Sequence, residues 1–322
     1  MANPPPPPQS DSHFHFSTVT GVFLQDDPNT DPDTFDYVSS NFGLISRPYP
    51  SDDTLDSPTS KTQWQHLAHY IDSLNTSSPP ETNYKLLFLG RHGQGVHNVA
   101  EARYGTVLWD CRYSLLDGDD NGNWFDALLT ETGVEQARTA HAAWKTQIEA
   151  GVPHPQSYYV SPLMRCCETA RVTFEGTGLP GTEPFRPLVK ELLRETLGLH
   201  TCDARSPKSA IAKAYPLYIF EPGFREEDPL HDAKLRESDS ARDARFFEFL
   251  SDVFASDQHS ILSLTAHSGA ITSILNVVGH RVFKLETGGV IPVLVKAEKR
   301  AGKAPERVVE PWFGRPSCPG EF

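Results

Sequence analysis

The chain has 322 residues, 38% of them hydrophobic and 22% charged, which is ordinary for a globular protein with material for a sizeable core. Its net charge of −13 argues against a general nucleic-acid or anionic-membrane surface, though a small basic pocket remains compatible with it. No stretch approaches the roughly 18 to 20 apolar residues of a membrane span, and Met1 to Phe16 lacks the basic and apolar regions of a secretory signal.

Residues 1–80 hold 12 of the 27 prolines and ten aspartates against only Arg47 and Lys61. They read as a partly ordered extension that wraps the domain formed by residues 81–322. The Pro4–Pro8 run should be extended and solvated. Trp64, Leu67, Ala68 and Ile71 share a helical spacing, which predicts a short helix over Trp64–Leu74 before Pro79-Pro80. Tyr84–Leu89 is an apolar run ending in Gly90, the pattern of a buried strand. A long loop rich in Trp, Asp and Gly follows, inserted at about 104–126. It serves either as a substrate lid or as simple packing. Thr130 is the expected N-cap of a helix reaching Ala150, with Val134, Ala137, His141, Trp144 and Ile148 on one face. Strands are predicted at Ser157–Val160 and Ser260–Thr265, each followed by a helix. Strands alternating with helices imply an α/β fold with a mostly parallel sheet covered on both faces.

Three strand-to-helix junctions carry the reactive residues. The first reads Gly90-Arg91-His92-Gly93-Gln94-Gly95, the second Ser161-Pro162-Leu163-Met164-Arg165, the third Ala266-His267-Ser268-Gly269. Ligands of open α/β sheets sit at the carboxyl ends of strands, where helix N-termini favour anions. Two arginines and two histidines can therefore converge on one phosphate, and Glu191–Glu195 adds carboxylates.

Taken together, these motifs resemble the histidine phosphatase superfamily, also called phosphoglycerate mutase-like, over residues 84 to about 295. The resemblance rests on Leu89–Gln94 with Asn98, on Asp126–Ala137, on Ser161–Ala170, on Leu193-Arg194-Glu195 and on Ala266–Gly269, in that order. Gly198–Ser206 and Glu226-Glu227-Asp228 look like a fungal branch with poorly defined substrates. The resemblance implies a three-layer α/β/α sandwich and a phosphoric monoester hydrolase acting on a small phosphorylated metabolite. It implies His92 as the nucleophile that carries a phosphohistidine. Arg91, Arg165 and His267 would hold the phosphate oxygens, with Asn98, Gln94, Gly93 and Ser268 against the substrate. Glu195 would be the general acid, which asks for burial or a neighbouring anion to keep its proton. No cofactor and no metal enter this scheme. Two other readings remain: a mutase-type phosphotransferase that returns the phosphate to another hydroxyl, and a catalytically inactive phosphate-binding module.

Other features carry less. His200 and Cys202 fit no zinc spacing. Cys166 and Cys167 read as buried small hydrophobes, and five cysteines in this arrangement suggest reduced thiols in a cytoplasmic protein rather than a disulfide framework. The Glu226–Asp228 run reads as a solvated face or else as lining of the pocket mouth. A diphosphate substrate would need additional cations, for which Arg103, Arg194 and Arg205 are the candidates.

Overall fold

A computed structural model describes residues 12–180 and 182–319; Pro4–Pro8 lies outside them. In chain order the elements are β1 (Ser12–Thr18), α1 (Gln63–Ser77), β2 (Thr82–Arg91), α2 (Val96–Tyr104), α3 (Thr106–Cys111), the hairpin β3 (Gly118–Asp119) and β4 (Gly122–Asn123), and α4 (Glu131–Glu149). They continue with β5 (Ser157–Val160), α5 (Met164–Phe174), β6 (Leu188–Val189), α6 (Lys208–Ala214), β7 (Ile219–Phe220), α7 (Asp239–Ser256), β8 (Ile261–Ala266), α8 (Ser268–Val277) and β9 (Val290–Ala301).

The main sheet runs β1-β9-β2-β8-β5-β6-β7. Strands β2, β8, β5, β6 and β7 are parallel, while β1 and β9 add an antiparallel edge. The apolar run of β2 is continuous because both of its faces are covered. Leu86 and Phe88 pack with Trp64 and Leu67 of α1, Trp144 of α4 and Cys166 of α5. Leu87 and Leu89 pack on the other side with Phe246 and Leu250 of α7 and Ile271 and Ile274 of α8. The fold is therefore a three-layer α/β/α sandwich. The Thr130 hydroxyl accepts from Gly133 N at 3.1 Å and starts α4 at the expected place, an N-cap contribution of about 1 kcal/mol.

Residues 12–80 add the edge strand β1, and they place Phe23, Phe42 and Tyr49 in the core beside α1. The Phe42 ring meets Trp144 edge-on, 5.1 Å between centroids. The region expected to be a plain loop at 104–126 instead contains α3 and the β3–β4 hairpin. These pack through Trp109 and Trp124 onto Ala100, Ala127 and Cys202, a cluster too short in each segment to show any periodicity. Free thiols were expected throughout, but Cys111 of α3 is disulfide-bonded to Cys318 across 207 residues. So wide a separation leaves no local signal, and it removes the thiol argument for a cytoplasmic location. Among the described residues no helix is long and apolar enough to cross a membrane.

Candidate active site

The parallel order β2-β8-β5 sets three strand ends side by side. Arg91 pairs in register with Ala266, and Val160 with Thr265, so all three predicted junctions open at the same edge. They border a cleft of about 360 Å³ lined by Arg91, His92, Asn98, Glu195 and Ser268 among others.

His92 follows the last residue of β2. Its backbone N donates to Ala266 O at 3.0 Å and its carbonyl accepts from Gly288 N at 3.0 Å, so the main chain is fixed on both sides. Nδ1 lies 2.7 Å from Gly93 O. A carbonyl only accepts, so Nδ1 carries the proton and Nε2 keeps its lone pair. Burial, then the charges of Arg165 and Arg91, hold the imidazole neutral well below the usual histidine range. The His267 ring is 5.1 Å away and the His97 ring 5.5 Å. Both are buried and pushed the same way, by desolvation first and Arg165 second.

His267 stands at the N-cap position of α8. Its Nε2 is 2.7 Å from Ser161 Oγ, which ties the third junction to the second. Glu195 sits on the same helix end: one carboxylate oxygen accepts from Gly269 N and the other from Thr196 N, each at 2.9 Å. A Cβ on Gly269 would fall 2.1 Å from that carboxylate, so a side chain there would displace Glu195 from this seat. Arg91 donates through Nη1 to Leu285 O at 2.7 Å, while its buried Nε has no partner.

Arg165 is in the first turn of α5, as expected, but lies behind the cleft surface. Its Nη2 bonds Asp203 Oδ1 at 2.9 Å and its Nη1 donates to Cys202 O at 2.6 Å. Fully buried, it acts on the three histidines through its field, and its Nε is unpartnered. Gln94 also turns away, its side-chain oxygen accepting from the Thr130 hydroxyl at 2.8 Å. Gly93 N donates to Thr169 Oγ1 at 3.0 Å, and a Cβ there would come within 2.2 Å of Gly133 O. That glycine is required by packing against α4 rather than by a ligand. Asn98 lines the cleft while its Oδ1 accepts from Gly95 N at 2.9 Å.

Three site residues escaped the sequence reading: His97, Asp110 and Arg236 line the cleft, beside Trp109 of the inserted segment and Asp203 of the Gly198–Ser206 motif. Asp126 opens the second of the sequence motifs. It accepts from Met164 N at 2.9 Å and from Ser206 N at 2.8 Å, and so fixes the start of α5 and hence Arg165. Its φ of 40° places it in left-handed backbone that short polar side chains tolerate. His97 had a signal in its place one residue before Asn98, on the first turn after the His92 loop.

Two further readings are corrected. Arg103 pairs with Asp119, Arg194 with Asp228 and Glu191, and Arg205 with Glu191, so none of the three supplies a free cation for a diphosphate. Asp228 is not part of a solvated face: it takes both terminal nitrogens of Arg194 at 2.7 Å and is held down at about 2, chiefly by that partner working against burial. The donor atoms of His200, Cys202 and Asp203 lie within 4.8 Å of one another. Yet Asp203 is paired with Arg165 and Arg236, and burial pushes the Cys202 thiol up, so the set is electrostatically poor for a cation.

A sequence family described as histidine phosphatase superfamily (branch 1) matches residues 113–283. The chain is 54% identical to a "Probable phosphoglycerate mutase" of Arthroderma benhamiae, over 88% of this chain and 84% of that one. It is 36% identical to "Phosphomutase-like protein 3" of Candida albicans, over 88% and 80%. Among solved structures it is similar to a mycobacterial glucosyl-3-phosphoglycerate phosphatase, at 20% identity, covering 68% and 100%, with a TM-score of 0.39.

Proposed function

The chain belongs to the histidine phosphatase superfamily, and from that premise we propose that it hydrolyses phosphate monoesters of a small metabolite through a phosphohistidine on His92, without a metal. The observation that carries this is the placement of His92: Nδ1 lies 2.7 Å from Gly93 O, which leaves Nε2 free to attack, and burial favours the neutral ring. Positive charge for the equatorial oxygens comes from Arg91 in the cleft, from Arg165 behind it and from the N-terminal end of α8 at Ser268 and Gly269. An entering dianion would turn the electrostatics of His267 and favour its protonation. The same dianion is the neighbouring charge that Glu195 needs to hold a proton for the leaving alkoxide. Water then attacks the phosphohistidine, with Glu195 taking its proton.

The names of the relatives favour a mutase instead. The charges of the cleft weigh against it: Arg91 and Arg236 face Glu101, Asp110, Glu195 and Asp203, and Arg236 is already paired. That census suits one phosphate and not a bisphosphate intermediate. The test is hydrolysis of p-nitrophenyl phosphate from pH 4.5 to 8 with excess EDTA, for the intact protein and His92→Ala. Turnover that survives EDTA and disappears in the variant is the expected result. Equal turnover in both proteins would remove His92 from the mechanism, and none in the intact protein would favour the mutase or the inactive binding module.

A further inference from the structure

The cleft does not end at Glu195. A second compartment of about 490 Å³ adjoins it, and the two share Asp110, Thr196, His200 and Arg236 in their walls. Its outer wall is the C-terminal strap, where Pro311, Trp312 and Phe313 border the compartment within residues 310–316. The strap is anchored at three places. The Arg307 guanidinium lies 4.0 Å over the Phe247 ring on α7. Glu310 donates through its N to Ser240 Oγ at 2.8 Å and accepts at its O from Ser238 Oγ at 2.7 Å. Cys318 is bonded to Cys111, the residue after Asp110 of the shared wall.

Resting on the phosphatase reading above, we propose that this compartment is the leaving-group site and that it selects monophosphates whose leaving group carries a flat aromatic or heteroaromatic ring. Trp312 supplies the stacking surface. It is half-buried, and no aromatic ring among the described residues lies against it. Phe313 beside it is 90% exposed. Such surface on a strap anchored three times over is explained by a ring from the substrate. A second anion finds no free cation: Arg236 bonds Asp203 and Gly198 O, and Arg242 bonds Asp239, Ser273 and Thr196. Asp110 at the shared edge repels a negative leaving group and accepts from hydroxyl or amino donors.

The test uses two ligands with the same phosphorylated carbon and different remainders, adenosine 5′-monophosphate and ribose 5-phosphate. Their affinities are measured by calorimetry on the full-length His92→Ala protein, which binds without turnover. The nucleotide is expected to bind about tenfold tighter or better. Adding Trp312→Ala should bring its affinity down to that of the sugar phosphate. Replacing both Cys111 and Cys318 by serine, which frees the strap without touching the stacking ring, should erode the same preference. Equal affinities, a preference that survives both changes, or no binding of the nucleotide would each overturn the proposal. The p-nitrophenyl phosphate assay reads the His92 chemistry separately, so a failure of either reading is told from a failure of the other.

Discussion

In the proposed hydrolysis His92 and Glu195 have separate roles, and their surroundings differ. His92 is closed in by Gly93 O, His97 and His267, whereas Glu195 lies at the mouth of α8 on two backbone donors. A general acid matters most where the leaving group is a poor one. Glu195→Gln should therefore slow hydrolysis of an alkyl phosphate by about 10²- to 10⁴-fold and that of p-nitrophenyl phosphate far less. An equal loss on both substrates would assign Glu195 to holding Gly269 and not to proton transfer. His92, Arg91, His267 and Ser268 were legible in the sequence because each lies at or just past a strand end, where the chain direction alone fixes the place. Arg165 was legible as a residue but not as a buried one, since its partner Asp203 is 38 positions away and only the fold joins them. Gln94 and Gly93 sit inside a motif and looked like ligand contacts. They serve the seam with α4.

That seam is the element-scale feature on which the first junction depends. A Cβ on Gly133 would stand 2.2 Å from Gln94 O, and one on Gly93 equally close to Gly133 O. The first turn of α4 thus lies directly on the backbone that carries His92. Gly133→Ala must push the two apart, and we expect a loss of about 1–3 kcal/mol in denaturant unfolding. kcat should fall with it while the far-ultraviolet spectrum is kept. An unchanged kcat would mean the His92 loop tolerates the shift. Long elements with one period were readable: β2, α4, β5 and β8 fall within a few residues of expectation. The short pieces around Trp109, the edge strand β1 and its neighbour β9 were not: β1 pairs with a partner nearly 290 residues away, as for His13 and Arg300, and β9 also pairs with β2. Nothing local announces it. The Cys111–Cys318 bond was illegible for the same reason.

For the whole molecule, burying uncharged histidines has a cost in acid. His92, His97 and His267 lie well below the ordinary value of 6.5, all chiefly through burial, and His200 is brought down to about 4 by the same cause. Above pH 6.5 these groups are neutral folded or unfolded and contribute nothing to the pH dependence. As pH falls below 6.5 the unfolded chain takes up protons that the folded chain refuses, so stability declines by up to about 1.4 kcal/mol per pH unit for each group. Lowering the pH from 7 to 5 should reduce Tm by about 10 °C or more, and inorganic phosphate should counter part of that loss by binding the folded site. A Tm that is flat over this range would mean the three rings are hydrated or charged in solution. The same burial leaves His92 unprotonated at neutral and mildly acidic pH, which is what an attack on phosphorus requires. The most direct test is to quench the protein in alkali during turnover of a ³²P-labelled monoester and to locate the label by peptide mapping. The account predicts an acid-labile, alkali-stable phosphate on the peptide carrying His92, absent from His92→Ala. Turnover without such a label, or a label on another residue, would contradict it.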